Sequence, residues 1–257
     1  MVLDRIYMIP HGDEIIDQPN GESRRMNSEI SGISHEDHSD VIVILSPHGI
    51  NLSRNIGIIN TERFKSNTRL KSVNLDEYWV NERRLCEKII GETGDIGEEV
   101  RYVTYSGDES VFPIDFGTAI PLHFFSRREI VVIGQSRKVR NEDQISFGSM
   151  LAKAIMNYER KVSVIFSADQ AHTHSREGPY GYSPRADQYE QILRRCLEEN
   201  NFSAMENIDP EIVEEGKPDS YWNILVMDGL LKQSGKSMRF IYGYVEKYFG
   251  MMLAVSK

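Results

Sequence analysis

Cysteine is scarce: Cys86 and Cys196 are the only two in 257 residues. They lie far apart in helix-like sequence, which excludes a disulfide framework and a cysteine-rich zinc site and leaves free thiols in a reducing compartment. Long apolar runs are missing, so no membrane span is expected. The opening MVLDRIYMIP has an early acid and no basic stretch followed by an apolar one, so it does not read as a secretory signal. The expected location is cytoplasmic. Positive charge is also short: 30 Lys and Arg face 39 Asp and Glu, a formal net charge of -9. The basic residues are scattered, apart from pairs such as Arg127–Arg128 and Arg194–Arg195. A nucleic-acid partner needs a basic face for its phosphates and is not expected here. No Gly-x-Ser-x-Gly elbow occurs, and no Gly-x-Gly-x-x-Gly follows the first strand. A serine nucleophile of that type and a dinucleotide cofactor therefore drop out.

What is present is a core-forming composition, with 40% hydrophobic and 27% charged residues. The length suits one domain over residues 1–257. Short apolar, β-branched runs predict strands over 6–9, 41–45, 131–134 and 163–166, with later strands over 239–244 and 251–255. Helical spacing predicts helices over 76–90, 147–158 and 223–231, and one starting at Ser183-Pro184. Strands alternating with helices predict an α/β fold: a central, largely buried mixed sheet flanked by helices. Two long connections, 13–40 and 49–74, read as loops that could form lids.

Four of the seven histidines, His11, His48, His172 and His174, stand just after predicted strands. The carboxyl ends of strands are where α/β sheets gather their sites, and imidazole is a ready metal ligand. His11 and His48 each sit between a proline and a glycine. Proline narrows the backbone before the ring, and glycine lets the chain turn away close to a metal. A single histidine in such a place is usually a hydrogen-bonded loop residue, and Pro-His-Gly can be ordinary turn chemistry. On residue types alone, a metal-assisted hydrolase explains the same facts.

Several segments carry a resemblance: Ile9-Pro10-His11-Gly12-Asp13-Glu14, Ser46-Pro47-His48-Gly49, Asp115-Phe116-Gly117-Thr118-Ala119-Ile120-Pro121-Leu122, Ser167-Ala168-Asp169-Gln170-Ala171-His172-Thr173-His174, and Tyr244-Val245-Glu246-Lys247-Tyr248-Phe249-Gly250-Met251. In this order along nearly the whole chain they resemble the LigB-like class III extradiol ring-cleaving dioxygenases, in particular their small single-chain members. The resemblance implies one Fe(II), with Zn or Mn as substitutes, held by His11, His48 and Glu246. It implies a small aromatic diol and O2 as substrates, and assembly into a homo-oligomer. His172 would carry the proton traffic, with His174 in reserve, while Phe116 and Thr118 would face the substrate. Glu14 and Glu36 compete with Glu246 as the carboxylate, and Asp169 would orient a ligand histidine. One departure stands out. Many catechol-cleaving relatives have Asp-His-Gly where this chain has Asp115-Phe116-Gly117, and Phe116 can supply only an apolar wall. His123, downstream, is the candidate to replace that function. The departure keeps two alternatives open: a Memo-like metal-binding or interaction protein, and a zinc hydrolase, on the same scaffold.

Overall fold

The central sheet grows from strands that are apolar on both sides. In the computed structural model, which describes residues 2–102 and 110–257, the chain begins with β1 (Leu3–Ile9) and the short α1 (Glu14–Asp17). Next comes α2 (Gly21–His35), where a connecting loop was expected. Asn20 caps α2 by accepting from the Ser23 N–H, and the Ser23 side chain returns the bond to the Asn20 backbone. Only Met26 and Ile30 among its apolar residues are fully buried, a seam too thin to show in so polar a segment.

Then follow β2 (Val41–Ser46), β3 (Ile56–Asn60), β4 (Arg63–Ser66), β5 (Thr68–Arg69), β6 (Asn74–Leu75) and β7 (Tyr78–Val80). The stretch expected to be a second loop therefore supplies strands. The helix expected from 76 starts later, as α3 (Arg83–Thr93), because residues 78–80 pair with β4 and bury Trp79 in a small second sheet. After it come β8 (Gly97–Arg101), β9 (Val111–Ile114), α4 (Phe116–His123), β10 (Glu129–Gly134), α5 (Asn141–Met156) and β11 (Val162–Ser167). The chain closes with α6 (Arg185–Glu199), α7 (Ser203–Glu206), α8 (Pro210–Gly216), α9 (Tyr221–Ser234), β12 (Met238–Glu246) and β13 (Phe249–Ser256).

Among the described residues the main sheet has eight strands in the order β12-β13-β1-β11-β2-β10-β3-β8. The middle four, β1, β11, β2 and β10, are mutually parallel, and antiparallel pairings flank them, so the sheet is mixed as expected. Both faces are covered. In β2, Val41, Val43 and Leu45 join one hydrophobic cluster, and Ile42 and Ile44 join the other. The first cluster packs under α3, α5, α6 and α9, and the second under α2 and α4. The carboxyl ends of all four parallel strands open on one edge of the sheet, and the histidine-bearing turns follow there. Among the described residues, no helix is long and apolar enough to cross a membrane.

Helices α5 and α9 lie side by side and run parallel: Asn141 Nδ2 donates to the Tyr221 hydroxyl at 2.9 Å and Ser149 Oγ donates to the Gly229 carbonyl at 3.1 Å. Their contact is backbone to backbone. A Cβ at Gly148 would lie 1.9 Å from the Val226 carbonyl oxygen, and one at Gly229 would lie 1.9 Å from that of Ile145. Both helices therefore begin at the edge that carries the histidines.

Candidate metal centre

His11 follows β1, and its backbone N–H donates to Asp169 Oδ1 at 2.9 Å. Its ring is fixed from behind. Ser167 Oγ donates its one proton to the Gly117 carbonyl at 2.5 Å, so it can only accept from His11 Nδ1, 2.8 Å away. The proton of a neutral His11 is thereby placed on Nδ1, and the Nε2 lone pair points forward. His48 follows β2, and its ring meets that of His11 edge to face, with centroids 4.8 Å apart. A Cβ at Gly117 would lie 2.8 Å from Ser46 Oγ and 3.1 Å from His48 Cδ2, so a side chain there would push on the ring.

The carboxylate that meets the two rings is Asp219, in the turn before α9. His11 Nε2 lies 3.0 Å from His48 Nε2, and Asp219 Oδ2 lies 3.0 Å from the first and 3.1 Å from the second. The other oxygen, Asp219 Oδ1, is buried and has no protein partner. Ligand atoms about 2.1 Å from one ion and at right angles to each other stand about 3 Å apart. The triangle thus fits three ligands on one face of a single ion. The charges agree. Burial works against a cation on His11, yet Asp169 and Asp219 outweigh it and hold the metal-free imidazole up to about 9. Burial would raise the Asp219 carboxyl, but His11 and His48 hold it well below the usual range. Positive charge between these atoms is favoured, whether a proton or a metal ion carries it.

Glu246 is not in this group. It is buried at the end of β12, where Oε2 accepts from Asn20 Nδ2 at 2.7 Å and faces the Tyr244 hydroxyl at 3.4 Å. The structure brings Asp219, and not Glu246, to the two histidines, and Glu246 ties β12 to the start of α2. The competitors also lie elsewhere: Glu14 pairs with Lys247 at 2.8 Å, and exposed Glu36 with Arg5 at 3.2 Å. Asp169 does not take the ring's second N–H, which goes to Ser167; it holds the His11 backbone N–H, and its Oδ2, 3.6 Å from Nε2, acts on the ring through its charge.

The sequence matches the family model described as the catalytic LigB subunit of aromatic ring-opening dioxygenase over residues 5–255. The chain belongs to the LigB family. Protein CA_C1420 of Clostridium acetobutylicum is 22% identical over 278 aligned positions, which take in all of this LigB chain and 58% of that relative. This chain thus spans less than two thirds of the relative's length. The uncharacterized protein JW3007 from Escherichia coli K12 shares the fold, with a TM-score of 0.66, 13% identity and 98% of each chain covered.

Two cavities of this LigB chain meet beside the two histidines and share His48, His172, Tyr180 and Asp219 as walls. The larger, about 650 Å³, is bounded by His11, Phe116, Ile120, Tyr248 and Phe249, with Arg69 at its side. The smaller, about 460 Å³, lies towards α8 and the start of α9. His172 faces both. Its Nδ1 donates to the Gln170 carbonyl at 2.7 Å, which leaves Nε2 as the free nitrogen, and its ring stacks on Phe249 at 5.5 Å. His174 points the other way: Nε2 is 2.7 Å from Glu190 and Nδ1 is 3.2 Å from Asp187, both on α6. Phe116 lies over His48, with ring centroids 4.3 Å apart. Thr118, expected to face substrate, is fully buried and spends its hydroxyl on Asp115 at 2.8 Å, where Asp115 caps α4. His123 is half-exposed against Glu77, outside both cavities.

Proposed function

We propose that this LigB chain is a mononuclear, Fe(II)-dependent extradiol dioxygenase that opens a small aromatic diol with O2. The ion would be held by His11, His48 and Asp219. The observation that carries the reading is the triangle of donor atoms, 3.0, 3.0 and 3.1 Å on its sides, with the free nitrogen of His172 on the same space. Two imidazoles and one carboxylate are the donor set suited to Fe(II) with an open face, and Zn or Mn can occupy the same donors.

When bound, the metal supplies acidity to the diol and the adjoining positions at which the diol and O2 meet. The protein supplies the rest. His172 is held in the tautomer whose Nε2 accepts, so it takes a proton from a diol hydroxyl and later returns one to the departing oxygen. Phe249 behind it fixes the plane of its ring. Phe116 over His48 gives the aromatic substrate an apolar wall where many relatives place a hydrogen-bonding histidine. The LigB match and the cavity beside Phe116 support an aromatic substrate, and the donor set supports iron.

Protein loaded with Fe(II) without air and then given a panel of catechols with O2 should consume O2 and form coloured ring-opened products. Absence of both across the panel would count against the reading. Metal analysis tests the ligands: Asp219→Ala should lose the ion, and Glu246→Gln should keep it. The reverse result would return the carboxylate role to Glu246.

A further inference from the structure

The smaller cavity is too large to be only the margin of the metal centre. Its walls are apolar where Ile208, Pro210, Val213 and Trp222 line it, and they also carry two cations, Arg137 and Lys217. The charges there are unequally matched. Lys217 is paired with Glu214 at 2.8 Å, and Asp219 is committed to the two histidines. Among the described residues Arg137 has no carboxylate partner; its guanidinium instead rests 5.3 Å from the centre of the Trp222 ring. Stacking on an aromatic face holds the guanidinium plane and leaves its N–H edge for a planar anion. The adjoining walls are Asn141 and Tyr221, the first residues of the parallel helices α5 and α9, whose positive ends also favour negative charge.

We propose that the smaller cavity receives a side arm of the ring-bearing substrate, an aliphatic stem ending in an anion that pairs with Arg137. This rests on the ring-opening reading above. The ring belongs in the larger cavity, between Phe116 and Phe249, and the arm passes the shared wall at His172 and Tyr180. A volume of about 460 Å³ exceeds what one carboxylate needs, so the anion stands several bonds from the ring. A carboxylate attached directly to the ring stays on the ring's side of His48 and His172. Arg137 is then the residue that selects among ring-bearing substrates, and the apolar wall selects the length of the stem.

The test is calorimetric binding without O2 to the Fe(II)-loaded protein. The probes are catechols bearing carboxyalkyl arms of increasing length, each compared with its neutral amide, with unsubstituted catechol alongside. At one arm length the acid should bind about 10-fold tighter than its amide, the effect of one charge-assisted bidentate contact. In Arg137→Gln that ratio should fall close to one, and Arg137→Lys should recover part of it. Thermal melts establish that both variants are folded. Acids no tighter than amides at every length, or a ratio that persists in Arg137→Gln, overturn the assignment while catechol binding leaves the ring-opening reading standing. Failure of every catechol, unsubstituted catechol included, to bind the loaded protein overturns the ring-opening reading and the side-arm assignment together.

Discussion

The Ser167 hydroxyl has a single proton, and where that proton goes decides what His11 can do. Given to the Gly117 carbonyl, it forces His11 to carry its own proton on Nδ1 and to offer Nε2. Ser167→Ala removes that instruction without touching a ligand. We expect metal affinity to fall about 10- to 100-fold, as is usual when the partner behind a ligand histidine is lost. Competition with a chromophoric chelator measures it, and unchanged affinity would place the orienting contact elsewhere. His172→Phe makes the complementary case: the ion should stay and turnover should go, because the variant keeps the ring's stacking and loses its nitrogen. Normal turnover by that variant would remove His172 from proton transfer. The turns carrying His11 and His48 were legible in the sequence as matching strand–Pro–His–Gly patterns, and the structure brings their rings together. Asp219 was not legible. An aspartate followed by serine just ahead of an apolar helix reads as a helix start, and nothing local distinguishes it from the many that only cap. Glu246 was expected through the family resemblance, and the structure buries it against Asn20.

Legibility at the scale of elements followed the density of apolar residues. The four parallel strands are nearly all apolar and were readable, whereas α2 shows a thin buried seam and was not. The helical spacing read over 76–90 ran through Trp79, whose conformation the pairing with β4 decided instead. The pairing of α5 with α9 was equally invisible, since it depends on what two glycines lack. Replacing a helical glycine with alanine ordinarily gains about 1 kcal/mol of helix propensity. At Gly148 the new methyl would sit 1.9 Å from a backbone oxygen, and neither helix can yield without moving the other. Overpacking of this kind costs about 1–3 kcal/mol or more, so the clash wins and Gly148→Ala should be net destabilising. Because α9 starts directly after Ser220, any shift of that helix also displaces Asp219. Urea unfolding and a metal titration should therefore weaken together. A variant as stable as the parent would mean that the two helices separate at little cost.

Across the whole molecule the two edges of the sheet divide the work. The carboxyl edge holds the histidines, and the opposite edge holds a buried carboxylate, Asp37, in the turn between α2 and β2. Its oxygens accept from Tyr7 on β1 at 2.9 Å, Ser163 on β11 at 2.5 Å, the Ser39 hydroxyl ahead of β2 at 2.7 Å, and Arg128 ahead of β10 at 2.5 Å. One side chain thus ties together all four parallel strands. Burial would raise its pKa, but the bonds from Ser163, Ser39 and Tyr7 outweigh burial and hold the carboxyl below its usual value. A folded-state pKa below the unfolded value of about 3.9 means that the charged form stabilises the fold at neutral pH. That contribution is complete above about pH 4 and is lost as the pH falls through the folded-state value. Asp37→Asn leaves Arg128 buried beside a neutral group, a loss of about 3–5 kcal/mol at pH 7 when a buried pair is broken. The gap between parent and variant should narrow as unfolding is measured at successively lower pH, because the parent alone has this charge to lose. Below the unfolding midpoint in urea the variant should still bind the metal like the parent, since Asp37 lies at the far edge of the sheet from His11 and His48. A gap that stays constant down to about pH 2 would show that the packing of Asp37, and not its charge, holds the four strands in register.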